Sequence, residues 1–160
     1  MKSVVINIAD MQISNDPDSI LVTYSLGSCI AVSIYDPYVK VSGLLHYMLP
    51  KSSLNQIKAR DNPCMFGDTG IPLLFRKAYA FGARKERLIV KVAGGANIMD
   101  SRGFFNVGER NYVILRKLFV RNNIKIAGEH VGGNLNRTVI MNARTGTVRL
   151  KISGRREVYL

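Results

Sequence analysis

The chain has 160 residues, of which 47% are apolar, and its 23 Lys and Arg against 11 Asp and Glu give a net charge of +12. This length and composition are typical of one folded domain, 1–160, and exclude a disordered chain. Its apolar runs are too short to span a bilayer, so no direct membrane insertion is expected. The first residues lack the apolar segment and cleavage site of a signal peptide, which predicts a cytoplasmic protein.

Cysteine usage and charge narrow the classes of site and partner. Two cysteines, Cys29 and Cys64, and two histidines are too few and too badly spaced for a closed zinc site, so no metal is expected. The positive charge favours an acidic partner, although a solubilising surface would have the same composition. The basic residues are scattered, and no helix-turn-helix, RNP-type or zinc-finger pattern lies beside them. No nucleic acid is therefore expected as a partner.

Taken in chain order, alternating and β-branched runs predict eight strands, and helical spacing predicts two helices. The strands are predicted over residues 3–9, 19–25, 30–35, 41–49, 87–93, 124–130, 137–143 and 146–153. Helices are predicted over 69–82 and 108–122, and residues 51–68, which have no period, are interpreted as a surface loop. Short turns between strands favour antiparallel pairing. The pattern therefore predicts an α+β fold whose two main helices cover part of a largely antiparallel sheet system.

Cys29 is the first candidate for chemistry because it follows the small-residue turn Gly27-Ser28. Such a turn allows another molecule to approach closely and can present a thiol to it. Backbone N–H groups near the turn, those of Ser28 and Cys29, are candidates for holding an oxyanion. The alternative is that Cys29 is a small buried apolar residue, as most free cysteines are.

His46 strengthens the catalytic interpretation through its distance from a predicted hairpin turn. The turn signal Asp36-Pro37 places the centre of the hairpin near residue 38. Cys29 lies about nine residues before that centre and His46 about eight after it, and equidistant positions in a hairpin face each other at about 5 Å. A protonated imidazole beside a thiol would lower the thiol pKa and make a thiolate nucleophile.

A catalytic cysteine and histidine usually have a third group that orients the imidazole ring. Side chains that could accept a hydrogen bond from the ring are candidates, and the pattern leaves several open. They are Thr23, Ser25, Ser28, Asp36 and the later Asn residues. Thr23 lies on the strand before the hairpin, which could be its neighbour.

Motifs along nearly the whole chain resemble one family when they are taken together and in order. These motifs are Leu26-Gly27-Ser28-Cys29, Asp36-Pro37, His46-Tyr47-Met48-Leu49-Pro50, Lys91-Val92-Ala93-Gly94-Gly95-Ala96, Asn106-Val107-Gly108-Glu109-Arg110-Asn111, Gly132-Gly133-Asn134, Arg137 and Thr145-Gly146. The chain is similar in them to the chemoreceptor glutamine deamidases, the CheD family. The resemblance implies a layered α/β sandwich shared with glutamine-deamidating toxins.

The same resemblance implies an activity, a set of residues and partners. The family hydrolyses particular glutamine side chains of methyl-accepting chemotaxis receptors to glutamate and uses a cysteine, a histidine and a threonine. These roles would fall on Cys29, His46 and Thr23. No cofactor is implied, and the partners would be the receptors and a CheC-type phosphatase. Two rival classes stay open, a regulatory binding partner of such a phosphatase and a basic nucleic-acid-binding protein.

Overall fold

The computed structural model describes residues 1–97, 106–154 and 156–160, and ten strands and three α-helices lie in these ranges. The strands are β1 (Lys2–Val5), β2 (Asp10–Ser14), β3 (Ser19–Leu26), β4 (Ile30–Asp36), β5 (Val41–Tyr47), β6 (Ile89–Gly94), β7 (Gly128–Val131), β8 (Arg137–Asn142), β9 (Val148–Ile152) and β10 (Arg156–Tyr159). The helices are α1 (Gln56–Asp61), α2 (Gly67–Ala80) and α3 (Val107–Arg121). None of these helices has both the length and the apolar character that crossing a membrane requires.

The strands form two five-stranded sheets. The first has the order β1-β3-β8-β9-β10 and the second the order β2-β5-β4-β6-β7. Within the described strands, β1 pairs with β3 and β6 with β7 in parallel, whereas the other pairings are antiparallel. The predicted α+β class with largely antiparallel sheets is therefore confirmed, and the two long helices are α2 and α3.

Alternation along β4 explains why the molecule has three layers. Ile30, Val32 and Ile34 point to one side of the second sheet and pack in a core with residues of α2 and α3. Ala31 and Tyr35 point to the other side and pack against apolar side chains of the first sheet. Because successive side chains of a strand face opposite ways, one strand with buried residues at every position serves two cores. The layers are thus first sheet, second sheet and helices, which is the layered sandwich that was expected.

The predicted strand over residues 3–9 is wrong in its length and misses a second strand. The chain leaves β1 at Val5, turns through Ala9 at a φ of 58°, and enters β2 in the other sheet. The alternation of apolar residues continues through this turn, so the pattern shows no break where the chain changes sheets. The short β10 at the C-terminal end was also missed, because four residues are too few for a reliable period.

The interpretation of residues 51–68 as a loop without structure is wrong as well. Two 3-10 turns, α1 and the first residues of α2 occupy this segment. Asn55 caps α1, because its side chain accepts a hydrogen bond from Lys58 N–H, and Asn62 caps the second 3-10 turn by accepting from Cys64 N–H. Such caps depend on single polar side chains and leave no apolar period to read. An isolated bridge between Leu49 and Phe66 places the end of this segment beside the residues that follow β5.

Candidate active site

The three residues expected to form the site lie on both sheets. Thr23 is in β3 of the first sheet, whereas His46 is in β5 of the second sheet and faces it across the core. Cys29 lies in the turn just before β4, next to His46's strand. Thr23 and His46 are 0% and 1% exposed, and Cys29 is half-buried. Thr23 is therefore not a neighbour within the hairpin's sheet, as its place in the chain suggested, but reaches His46 from the opposite layer.

The expected direct pairing of Cys29 with His46 is wrong, because the register places His46 opposite Ala31. The turn joins Asp36 to Val41, so its centre lies between residues 38 and 39, and the position equidistant from Cys29 is 48. Cys29 is nevertheless on the same face as His46, since residues two apart on a strand share a face. Cys29 packs with the same core between the sheets as Ala31. By this register the two side chains occupy diagonal rather than directly opposite positions.

Two hydrogen bonds at Thr23 determine which nitrogen of His46 carries the proton. The Thr23 Oγ1 hydroxyl donates its one hydrogen to the Ile6 carbonyl at 2.7 Å. Oγ1 also lies 2.7 Å from His46 Nδ1, and it must accept there because its hydrogen is already used. Nδ1 therefore carries the proton and Nε2 carries a lone pair. Nε2 is buried and has no hydrogen-bond partner among the described residues.

Burial sets the resting charges of the cysteine and the histidine. It lowers the pKa of His46 from 6.5 to about 4 and raises the pKa of the Cys29 thiol, which its own backbone N–H offsets in part. Both shifts favour an uncharged imidazole and an uncharged thiol at rest, which differs from the imidazolium beside a thiolate that the sequence suggested.

The backbone around Cys29 is held by three donors to consecutive carbonyl groups. Ala96 N–H donates to the Gly27 carbonyl, Gly95 N–H donates to the Cys29 carbonyl at 2.9 Å, and a side-chain amide, that of Asn111, donates to the Ser28 carbonyl. The N–H groups of Ser28 and Cys29 have no backbone or side-chain oxygen as acceptor within the described part of the chain. In the part of the chain that the structure describes, the turn thus has two adjacent N–H groups beside the thiol that donate to no oxygen.

Gly94 makes this arrangement sterically possible. Its φ is +113°, and a Cβ placed there would come within 2.2 Å of the Cys29 carbonyl oxygen. A side chain at this position would displace the backbone that carries the thiol. This contact lies beside the site.

Other polar residues considered from sequence lie away from His46. Ser25, at a φ of 56°, is in the irregular end of β3. Asp36 is at the far end of β4, where its buried carboxylate accepts from Arg84 N–H and Arg87 Nε and closes the hairpin turn. Cys64 is buried in the helix-side core. Among the described residues, no three His, Cys, Asp or Glu side chains come together as a metal site would require.

Sequence reasoning included Asn111 only among the later Asn residues and in a motif, and did not single it out; it is 0% exposed and touches the backbone on both sides of the site. The signal was present in the periodicity of α3. Asn111, Leu115 and Phe119 follow each other at four-residue spacing on the buried face of the helix. An amide at a core position of an apolar stripe has to be hydrogen-bonded inside the protein, so it marks a place where backbone groups need donors.

A family model and individual relatives both match this chain, and both carry the same family name. A family model described as "CheD chemotactic sensory transduction" matches residues 48–152. A protein of Syntrophus aciditrophicus named "Probable chemoreceptor glutamine deamidase CheD 1" is 56% identical over 154 residues, which cover 96% of each chain. Proteins of Solibacter usitatus and Anaeromyxobacter dehalogenans named as probable chemoreceptor glutamine deamidases are 43% and 42% identical, covering 98% and 94% of this chain and 93% and 95% of their own.

Proposed function

The chain belongs to the CheD family, and from this premise we propose that it hydrolyses glutamine side chains of chemoreceptors to glutamate, with Cys29 as nucleophile. His46 is the base that accepts the thiol proton, and Thr23 orients its ring. The observation that carries the proposal is the Thr23–His46 hydrogen bond, because it leaves Nε2 as a free, buried base on the face that Cys29 shares. This is the arrangement that a cysteine amidohydrolase requires.

In the first half of the reaction, the Cys29 sulfur bonds to the side-chain carbon of glutamine while its proton moves to His46 Nε2. The carbonyl oxygen becomes an oxyanion, and the imidazolium is stabilised at Nδ1 by the Thr23 hydroxyl, which accepts from it at 2.7 Å. When the oxyanion collapses, the carbon–nitrogen bond breaks and Nε2 returns the proton to the departing ammonia. A thioester to Cys29 and a neutral His46 result.

In the second half, water replaces ammonia and the same residues act again. His46 Nε2 takes a proton from the water as its oxygen bonds to the thioester carbon, and it gives that proton to the leaving Cys29 sulfur. The products are glutamate and free thiol, so each cycle consumes one water and releases one ammonia. The nucleophile and the proton carrier are both side chains, so no step of the proposed reaction uses a cofactor.

The Ser28 and Cys29 backbone N–H groups are the proposed oxyanion donors. Both belong to the turn that carries the thiol, and both are free of other oxygen acceptors in the described residues. The Cys29 N–H also lies close enough to its own sulfur to lower the thiol pKa. The oxyanion develops on the oxygen that is bonded to the carbon attacked by the sulfur. A donor that reaches the sulfur therefore also lies near the oxyanion, which supports the assignment of the Cys29 N–H.

Chemoreceptors are the proposed substrates, and the protein would meet their inner ends in the cytoplasm. Support for an acidic protein partner comes from the net charge of +12 and from one open groove of about 540 Å³. Three cations, Lys51, Arg110 and Lys117, and one acid, Glu109, line this groove beside the exposed apolar side chains of Leu54 and Val113. Such a mixture suits an acidic helical surface with an apolar stripe.

A CheC-type phosphatase is proposed as a second protein partner on the family resemblance. The same groove could bind it, in which case phosphatase and receptor would compete for one surface. The two roles separate in Cys29→Ala protein. Binding to a CheC-type phosphatase, measured by calorimetry, should persist while deamidation is lost. If no binding occurs with either protein, the chain acts without this partner.

The proposed reaction is tested by incubating the purified protein with a receptor cytoplasmic fragment and mapping its peptides by mass spectrometry. Each converted glutamine should gain about one dalton, and Cys29→Ala should abolish the gain because no thioester can form. Cys64→Ala, the matched change at the other cysteine, should retain activity, since Cys64 lies in the helix-side core. Equal deamidation by the wild-type and Cys29→Ala proteins would disprove the assignment.

A further inference from the structure

Asn111 holds two backbone carbonyls from separate segments of the site. Its side-chain nitrogen donates to the Ser28 carbonyl at 2.9 Å and to the Met48 carbonyl at 3.0 Å. Two acceptor oxygens at these distances fix the orientation of the amide, since only its NH₂ group can donate to both. Ser28 adjoins the nucleophile and Met48 lies two residues beyond His46. One side chain therefore joins the cysteine turn to the histidine strand.

The amide lies at the point where the β4–β5 ladder opens. The last paired residues of the two strands are Ile30 and Tyr47. Beyond them Met48 and Leu49 donate to the Met65 carbonyl instead of to the cysteine turn. The side chain of Asn111 bridges the resulting gap. The backbone of Asn111 is also held, because the Tyr47 hydroxyl donates to its backbone carbonyl oxygen at 2.5 Å.

The bond to Ser28 also determines where the Cys29 N–H points. The Ser28 carbonyl and the Cys29 N–H belong to one planar trans peptide unit, in which they point in opposite directions. Asn111 draws the carbonyl towards the helix layer, so the N–H is directed towards the face between the sheets. That face carries the Cys29 side chain and His46. Loss of the Asn111 donor would free this peptide to rotate.

We infer that Asn111 is a positioning residue that aims the Cys29 N–H at the oxyanion of the substrate. The inference rests on the proposed function and adds a residue to it. Asn111 touches neither substrate nor sulfur, and it acts through the Ser28–Cys29 peptide. Its contribution should therefore appear mainly in the chemical step, because the reactivity of the thiol depends on the same N–H only through its partial effect on the thiol pKa.

The test compares two reactions of the same thiol in the Asn111→Leu variant. Deamidation forms an oxyanion, whereas alkylation of Cys29 by iodoacetamide attacks a saturated carbon and forms none. We expect kcat for deamidation to fall about 10²-fold, as for other lost oxyanion donors. The KM and the alkylation rate of the Cys29 peptide should change less than about threefold, because thiol, base and binding surface are intact.

Matched variants keep the inference open to refutation. Asn122→Leu makes the same change at the exposed end of α3, where the amide only caps Leu118, and it should leave both rates unchanged. Asn111→Ser adds no bulk and should give the same separation if the leucine variant does not fold. Deamidation within about threefold of wild type in the Asn111 variants would overturn the inference. It would also be overturned if both variants lost deamidation, alkylation and the folded state together. If the wild-type protein itself does not deamidate, the proposed function fails, and this inference fails with it.

Discussion

Replacing Thr23 by valine tests the hydrogen bond on which the mechanism depends. Valine has the shape of threonine but cannot accept from His46 Nδ1 or donate to the Ile6 carbonyl. An unpaired donor in a buried site costs about 1–3 kcal/mol, which corresponds to about 5- to 150-fold in an equilibrium or rate. Without Thr23 the neutral ring has no preferred tautomer, because a proton on either nitrogen lacks an acceptor among the described residues, and a ring with its proton on Nε2 has no lone pair for the thiol.

We therefore expect kcat/KM of Thr23→Val to fall between about 10-fold and 100-fold, while Thr23→Ser stays within about threefold of wild type. The unpaired Ile6 carbonyl should also lower Tm by a few degrees, about 2–4 °C for each kcal/mol at this chain length. Ring ¹⁵N chemical shifts of His46 report the tautomer directly. Thr138→Val is the control, since Thr138 lies on the adjacent strand β8 with only a 3.4 Å bond from Ser25 N–H. A Thr23→Val protein with wild-type kcat/KM would refute the reasoning.

Two further predictions concern stability. Unfolded His46 binds a proton near pH 6.5 but the native residue only near pH 4, so stability is lost as the pH falls through this range. Between pH 7 and pH 5 the wild-type protein should lose ~2 kcal/mol more unfolding free energy in urea than His46→Gln, and equal losses would contradict a buried neutral ring. Gly94→Ala should lower activity and cost ~1–3 kcal/mol more than Gly154→Ala, which has a φ of +92° but open space around it. Equal Tm shifts for the two alanine variants would show that Gly94 is not crowded against Cys29.

Residue patterns within single elements predicted much of the secondary structure that carries the site. The apolar spacing of α2 and α3 and the β-branched run of β4 each determine their own element, and their bounds agree with the structure to within about two residues, as is usual at element ends. The hairpin turn was also local, because the buried Asp36 carboxylate accepts from Tyr38 N–H and closes it. These elements depend on residues close together in the chain, which one sequence displays.

Contacts between layers were beyond such reasoning. Thr23 meets His46 only because the first sheet packs over the second, and no spacing in the sequence encodes that approach. The turn centre was predicted near residue 38 but lies between residues 38 and 39. This half-residue difference changes the register, so that the partner of His46 is Ala31. The preference of both groups for their uncharged forms could not be predicted for the same reason, since burial depends on the assembled layers and not on neighbours in the chain.

Trapping the covalent intermediate tests the central claim most directly. Wild-type protein mixed with a receptor cytoplasmic fragment is quenched in acid within the first turnover, digested and mapped by mass spectrometry. A cross-linked peptide should appear in which the Cys29 sulfur is joined to a receptor glutamine side chain with loss of ammonia. It should disappear on prolonged incubation as glutamate forms. Continued conversion of glutamine to glutamate by Cys29→Ala protein, with no such peptide in the wild type, would contradict the account.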